Sequence, residues 1–181
     1  MTNQLNIGII LGSTREGRVS PQVGKWVKEL ADKKGNANYQ IVDIKSYHLP
    51  LLGESTDTEG IMKWNAKLAE LDGFIFVTAE YNHGMPASLK NALDLAKDAW
   101  NNKAAGIISY GSAGGARAAE HLKGVLGELQ IADVRAQVLL SLFTDFENYS
   151  NFKPQALHQA NMDALLDQVV SWSTTLKQIR K

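Results

Sequence analysis

The stretch LNIGIILGSTREGRVS (residues 5–20) joins a short apolar run to a polar, glycine-bearing loop and then to a helical pattern. The run Leu5–Leu11 predicts a buried strand, because short continuous apolar segments bounded by loop residues are typical of parallel sheets. Backbone N–H groups at the start of the following helix would point toward the space above the strand end, where they attract an anion. The stretch therefore predicts a strand, a ligand loop and a helix in that order.

Side chains of this loop are suited to a phosphate monoester. Ser13, Thr14 and Ser20 supply hydroxyl donors. Arg15 and Arg18 add forked, permanently charged donors that match phosphate oxygens. We therefore predict a phosphate site, and the alternative is a polar strand-to-helix turn that binds no ligand.

Two common nucleotide-binding motifs are nearly matched here but absent. The triphosphate loop G-x-x-x-x-G-K-[ST] fails because Arg18 stands at its lysine and Val19 at its metal-binding hydroxyl. The dinucleotide fingerprint G-x-G-x-x-G fails because three residues separate Gly8 from Gly12 and no third glycine is in register. A magnesium-triphosphate enzyme is therefore disfavoured.

Strand-like and helix-like segments alternate along the chain, which predicts a parallel sheet covered by helices on both faces. We expect one α/β domain over residues 1–181, a flavodoxin-like three-layer sandwich with strand order 2-1-3-4-5. A last helix is expected from about Pro154 to the end, with an apolar stripe that includes Trp172 and Ile179. The five strand-like runs are Leu5–Leu11, Tyr39–Ile44, Gly73–Thr78, Ala104–Tyr110 and Val134–Leu140.

Two further loops follow predicted strands at the same sheet edge. EYNHGMP (residues 80–86) contains Asn82 and Gly84, which tolerate positive φ, so its amides can turn toward a planar heterocycle. Tyr81 can stack on such a ring or shield it, and the alternative is a simple helix-entry turn. Residues 109–117 form another glycine-rich loop before a helix. Glycine-bearing loops gathered at one edge favour a ligand site.

The segment Ser46–Gly60 is long enough to reach over that site. Its residues 47–52 either wall a flat aromatic ligand or plug the edge of the domain, and the sequence leaves both readings open.

Composition narrows the function. Nineteen basic and nineteen acidic side chains cancel, so we expect no nucleic-acid partner. There is no cysteine, which excludes disulfides, thiolate catalysis and cysteine-ligated clusters, so redox chemistry would need a cofactor. The four histidines are far apart in sequence, and we predict no metal site. The longest apolar run is too short to span a membrane, and we expect a cytoplasmic protein.

Three signatures in this sequence resemble the NADPH-dependent FMN reductase family, the flavodoxin-like quinone, azo-dye and chromate reductases. They are GSTRxxRxS (residues 12–20), EYNxGxPxxLKNAxD (residues 80–94) and GSxGGxR (residues 111–117). The second is highly specific, and the likeness extends over almost the whole chain. Ala79 departs from the pattern, because many members carry proline before the glutamate, and this affects the stiffness of the loop and the tuning of the flavin.

The resemblance implies the residues of an FMN site. The phosphate would be held by Ser13, Arg15, Arg18 and Ser20, and the isoalloxazine ring would be lined by Glu80, Tyr81, Asn82 and Gly84. Ser112 and Gly114 would touch the far edge of the ring.

The resemblance also implies an activity. Family members use NADPH or NADH as hydride donor to flavin N5, and the reduced flavin then passes electrons to a quinone or similar small acceptor. Because the flavin carries this reaction, no catalytic side chain is demanded. The physiological acceptor and the preferred donor cannot be read from the sequence. The rival readings are an electron carrier that binds FMN without this reduction, and a protein that keeps the fold without the cofactor.

Members of the family commonly assemble so that a neighbouring subunit helps close the flavin site. The resemblance thus implies a homodimer or a homotetramer. Trp100 and the helical segment 89–99 are candidates for the interface, and the alternative is that Trp100 caps the core.

Overall fold

The computed structural model describes residues 4–54, 59–96 and 98–180. Five parallel strands form its central sheet in the order β2-β1-β3-β4-β5. The predicted α/β class and strand order are therefore confirmed. The strands are β1 (Asn6–Leu11), β2 (Asn38–Asp43), β3 (Gly73–Ala79), β4 (Lys103–Gly111) and β5 (Ile131–Ser141).

Helices cover both faces of the sheet, which gives the predicted three layers. One core joins the sheet to α1 and α5, and the other joins it to α2, α3 and α4. Strands β3 and β4 are buried along their whole lengths because both their faces are covered. The helices are α1 (Ser20–Lys34), α2 (Glu59–Ala69), α3 (Ala87–Asp94), α4 (Ala116–Glu128) and α5 (His158–Lys177).

Short elements complete the fold. Residues Ile44–Tyr47 and Asp98–Trp100 form 3₁₀ turns, and a two-stranded hairpin, β6 (Phe146–Glu147) with β7 (Asn151–Phe152), follows β5. This hairpin was not predicted, since strands of two residues leave no periodic pattern.

The interface role expected for Trp100 is wrong. Its side chain is fully buried among the rings of Trp64, Phe74 and Phe76, and its indole N–H donates to the Leu93 carbonyl. The aromatic contacts come from distant parts of the chain, which the polar neighbours of Trp100 in sequence could not reveal. Trp100 therefore caps the core, the alternative that the sequence left open.

The predicted ends of two helices also need correction. Helix α3 ends at Asp94, where a helix as far as residue 99 was expected, and Lys97 lies outside the described residues. Helix α5 begins at His158, because the Asp145 carboxylate accepts the backbone N–H of Gln155 and holds the preceding segment in turns. The expected stripe is only partly buried: Trp172 of α5 is 46% exposed, and Ile179, which lies beyond the end of α5 at Lys177, is 59% exposed.

Parallel strands end at one edge, and the three predicted ligand loops meet there. The Gly12 amide donates to the Val77 carbonyl, which ties the first loop to the end of β3. The Glu80 amide donates to the Tyr110 carbonyl and joins the second loop to the end of β4. The topology thus brings the three loops together at the carboxyl edge of the sheet.

Candidate cofactor site

The loop between β1 and α1 presents a helix N-terminus without a capping side chain. Helix α1 starts at Ser20 with a proline in its first turn, and that turn carries no acidic residue. Gly17 adopts a φ of 66°, a left-handed conformation that glycine takes without strain. The partial positive charge of the helix end is therefore free to attract an anion.

Buried hydroxyls without partners lie beside this helix end. Ser13 and Ser20 are fully buried, and neither the Ser20 Oγ nor the Tyr110 hydroxyl makes a hydrogen bond among the described residues. An unsatisfied buried donor costs about 1–3 kcal/mol, so natural proteins rarely keep two at one place without a use. Donors of this kind fit the phosphate of FMN.

Arg18 is engaged within the protein. Its guanidinium donates to both carboxylate oxygens of Asp43, at 2.7 and 2.5 Å, and to the Ser13 carbonyl at 2.5 Å. The hydrogen bond to Asp43 outweighs burial and raises the arginine's pKa, so the group stays charged. These contacts favour a role in shaping the loop, and the direct phosphate contact predicted for Arg18 stays a prediction.

Arg15, Ser13 and Tyr81 link the first loop to the second. The Ser13 and Tyr81 hydroxyls are 2.6 Å apart, and Arg15 Nε donates to the Tyr81 hydroxyl at 2.9 Å. The Arg15 guanidinium also stands 5.6 Å from the centre of the Tyr81 ring, within range of a cation–π contact. The predicted phosphate residues and the predicted ring residue thus form one connected site.

The second loop is a tight turn closed by its own backbone. Tyr81 and Gly84 exchange two hydrogen bonds, at 2.9 and 3.0 Å. The positive φ angles fall at Asn82, as its tolerance predicted, and at His83, whereas Gly84 does not need its freedom. A Cβ added at Gly84 would meet only ordinary contacts, the nearest being His121 Nδ1 at 3.8 Å. Any requirement for glycine there would therefore come from a ligand.

Glu80 points away from the loop surface and caps helix α4. Its side chain is 5% exposed and accepts from Arg117 Nε at 2.6 Å and from the Arg117 amide at 3.1 Å. Burial opposes ionisation, but hydrogen bonds from Arg117 and the Ala118 amide lower the pKa of this carboxyl below its ordinary value. Glu80 therefore fixes the second loop against the third, and its predicted contact with a ring is not tested.

The third loop places its predicted residues differently. Ser112 is exposed at the sheet edge, whereas Gly114 is buried and its carbonyl accepts from Ser109 Oγ at 2.8 Å. A Cβ at Gly114 would press on Leu139 at 3.0 Å, and its φ is 67°. These contacts favour Ser112 as the ligand-facing residue of the pair.

Two residues that sequence reasoning passed over also build the site. Ser88 Oγ donates to the Gly12 carbonyl at 2.8 Å and ties α3 to the first loop. The Asn91 side chain donates to the Pro50 carbonyl and accepts the Leu52 amide, at 2.8 and 3.0 Å. Both residues belong to the span of the second signature, which was the available signal.

The long loop borders a cavity next to these residues. The cavity of about 440 Å³ is lined by Thr14, His48, Leu49, Leu51 and Ser88, among others. The cavity favours the interpretation that residues 47–52 line a ligand site over the alternative that they only close the edge of the domain. Part of the predicted loop, residues 55–58, lies outside the described residues.

Neither a metal-ion cluster nor a membrane-spanning helix occurs among the described residues. In the ranges 4–54, 59–96 and 98–180, no group of three or more acidic or histidine side chains is placed to hold a metal ion. Over the same part of the chain, no helix combines the length and apolarity of a membrane span.

Comparisons with known proteins agree with the three signatures. The sequence profile described as NADPH-dependent FMN reductase matches residues 5–145. A Schizosaccharomyces pombe protein named NAD(P)H-dependent FMN reductase is 38% identical over 146 residues, covering 76% of this chain and 73% of its own. A Burkholderia protein named 2-hydroxy-1,4-benzoquinone reductase is 35% identical over 137 residues, covering 70% and 73% respectively.

A solved structure supports the fold. The flavoenzyme NAD(P)H:acceptor oxidoreductase FerB of Paracoccus denitrificans superposes with a TM-score of 0.75 at 19% identity, over 94% of this chain and 98% of that one. With the profile match extending from β1 past β5, the chain belongs to the NADPH-dependent FMN reductase family.

Proposed function

We propose that FMN binds at the carboxyl edge of the sheet, with its phosphate on the loop 12–20 and its ring on the turn Glu80–Gly84. The observation that carries this assignment is the pair of buried hydroxyls without partners, Ser20 and Tyr110, beside an uncapped helix N-terminus. The family uses FMN with NAD(P)H, so the protein is an oxidoreductase whose electrons come from a nicotinamide.

In this proposal the side chains divide into ligands and supports. Ser13, Arg15 and Ser20 would bind phosphate oxygens, and the exposed Ser112 would reach the far edge of the ring. The second loop would present its backbone and the Tyr81 ring to the flavin. Bound FMN supplies the redox chemistry, accepting a hydride from the nicotinamide and giving electrons to the acceptor.

Two ionic contacts would hold that arrangement. Arg18 fixes the curvature of the first loop through Asp43, and Glu80 fixes the second loop on α4 through Arg117. Both act through the backbone of the loops, so they are positioning residues. No side chain needs to act as nucleophile or general base.

We assign a quinone or similar small planar molecule as the acceptor. The Burkholderia relative is named a benzoquinone reductase, and an Escherichia coli protein that is 30% identical over 134 residues is named a quinone reductase. The cavity bordered by Leu49 and Leu51 offers an apolar wall beside Thr14 of the first loop, which suits a flat ring.

The test is a visible spectrum of the purified protein with FMN, after removal of excess flavin, before and after anaerobic NADPH and NADH. We expect retained flavin that bleaches with at least one donor and regains its colour when benzoquinone is added. Retained flavin that both donors leave oxidised would identify an electron carrier instead. A protein that retains no flavin would contradict the site assignment.

The proposal extends to the assembly of the protein, its domain organisation and its location in the cell. We assign residues 1–181 to one FMN-binding domain in a cytoplasmic homodimer or homotetramer. Leu51 and Leu52 support assembly, because they are 55% and 62% exposed beside the proposed site and a second copy would cover them. Light scattering on the eluted protein should give two or four chain masses, and a monomer would contradict the assembly.

A further inference from the structure

Tyr110 brings a polar group into the core cluster that also contains Val19, the residue just before helix α1. Tyr110 stands one residue before the end of β4, is 5% exposed, and packs its ring 6.0 Å from that of Phe146. Its backbone is fixed, since its carbonyl accepts from the Glu80 amide, which directly follows the neighbouring strand β3. The phenol oxygen is therefore held by rigid structure, unlike the donors carried by the loop.

The surroundings of this hydroxyl are the residues assigned to the phosphate. Burial is the main reason that the pKa of Tyr110 is raised; the neighbouring Tyr81 raises it further, whereas the Ser20 hydroxyl, Arg15 and the Ser13 hydroxyl lower it. The hydroxyl nevertheless makes no hydrogen bond within the described residues. It stays protonated at neutral pH, so it can donate a hydrogen bond but carries no charge that would repel an anion.

We infer that Tyr110 is a ligand of the FMN phosphate, donating its phenol O–H from the core side of the loop. The inference rests on the proposed function, and it gives a role to Tyr110, a residue of the segment 109–117 to which the sequence assigned none. A hydrogen bond to an anion is stronger than one between neutral groups. Here it would also satisfy a buried hydroxyl that otherwise has no hydrogen-bond partner. Tyr110 thereby adds to the preference for phosphorylated flavin over riboflavin that Ser13, Arg15 and Ser20 would give the site.

The test compares Tyr110→Phe with Tyr39→Phe in the full-length protein. Both changes remove one buried phenol oxygen, but the Tyr39 hydroxyl, on β2, already donates to Asn36 Oδ1 at 2.6 Å. Quenching of flavin fluorescence measures the Kd for FMN and for riboflavin. We expect Tyr110→Phe to raise the Kd for FMN about tenfold or more and to change that for riboflavin by less than about twofold.

The stability of the flavin-free protein separates a ligand role from a structural one. Tyr110→Phe should unfold in urea at a midpoint no lower than the wild type, because the lost hydroxyl had no partner, and Tyr39→Phe should unfold at a lower midpoint. If Tyr110→Phe weakens both flavins equally and unfolds more easily, the role is structural and the inference is overturned.

Two other results bear on the inference in different ways. Unchanged FMN affinity in Tyr110→Phe, with wild-type protein that binds FMN, overturns the inference alone. Wild-type protein that binds neither FMN nor riboflavin overturns the proposed function and the inference with it.

Discussion

The two edges of the sheet differ in their buried polar groups, although the amino edge also has a buried hydroxyl without a partner among the described residues, Ser173 beside Gly73. At the amino edge, the Asp72 carboxylate accepts from the Asn6 amide at 3.0 Å, from Lys177 at 2.9 Å and from Arg180 at 2.6 Å. At the carboxyl edge, Ser20 and Tyr110 keep buried hydroxyls that lack partners among the described residues. Polar groups that form hydrogen bonds with one another stabilise the fold. Hydroxyls without hydrogen-bond partners beside a helix N-terminus indicate a ligand site.

Cavity size alone would have pointed to the wrong edge. Two cavities open at the amino edge, of about 770 and 560 Å³, against about 440 Å³ beside the first loop, and the second of them is lined by Asp72, Lys103 and Arg180. Its charged lining is engaged, however: Lys103 donates to the Leu68 carbonyl at 2.7 Å, and Arg180 and Lys177 share Asp72. The state of the polar groups is therefore more informative about function than the volume that they enclose.

Removing the acidic centre of the amino edge should have the largest effect on stability. We expect Asp72→Ala to lower the free energy of unfolding by about 2–3 kcal/mol, because Arg180 and Lys177 lose their carboxylate in a partly buried place. The Kd for FMN should change by less than about twofold. Urea denaturation measures the loss, with Asp167→Ala as the control, since its exposed pair with Lys34 is worth at most about 1 kcal/mol. A large loss of FMN affinity in Asp72→Ala would break the separation of the two edges.

The amino edge should also show its own pH dependence. Burial is the main cause that lowers the pKa of Lys103 from 10.5 to about 8. Between pH 8 and 10.5 the unfolded chain therefore binds more protons than the folded one, and stability rises with pH. We expect the wild type to gain about 1 kcal/mol from pH 7 to pH 9 relative to Lys103→Met. Chemical denaturation at both pH values checks this, and parallel curves for the two proteins would contradict it.

Arg18→Lys tests whether the carboxyl edge depends on loop shape. Lysine cannot make the two parallel hydrogen bonds to Asp43 together with the bond to the Ser13 carbonyl. We expect the Kd for FMN to rise about tenfold, which is about 1.4 kcal/mol. The similarly forked Arg180, at the other edge, gives the control Arg180→Lys, which should leave that Kd unchanged. An unchanged Kd for FMN in Arg18→Lys would show that the positive charge suffices and that loop shape does not matter.

Ser20→Ala and Ser173→Ala are closely matched variants, and we expect them to change the Kd for FMN less than Arg18→Lys does. Both serines are fully buried in helices, and neither Oγ has a hydrogen-bond partner among the described residues. Only Ser20 begins the helix that faces the proposed phosphate, so we expect its loss to raise the Kd for FMN about fivefold. Ser173→Ala should leave the Kd unchanged. Isothermal titration measures both, and equal Kd values for the two variants would remove Ser20 from the site.

Local patterns predicted the frame of this molecule, because each buried parallel strand reads as a short apolar run. The order of the sheet and the meeting of three loops at one edge followed from known topology. The long-range contacts that determine the role of each site residue could not be predicted from the sequence. Arg18 and Asp43 are 25 residues apart in sequence, and Glu80 and Arg117 are 37 apart. Only the folded chain reveals that such polar groups have already found protein partners.

Tyr110 and Trp100 illustrate the same limit in the core. Both stand near polar, turn-forming residues, yet both are buried by strands and helices from elsewhere in the chain. A sequence pattern assigns Tyr110 to a strand but not to a face, because a fully buried strand shows no alternation. Its orientation toward the first loop became visible only in three dimensions.

Backbone amide NMR during an FMN titration tests the central claim most directly. We expect the largest shifts at residues 13–20, 80–84 and 112–115, and negligible shifts at Asp72 and Lys103. That pattern would place the cofactor on the edge where two buried hydroxyls without partners, Ser20 and Tyr110, accompany an uncapped helix N-terminus. Shifts concentrated at Asp72 and Lys103, with the three loops unchanged, would place FMN at the opposite edge and contradict the account.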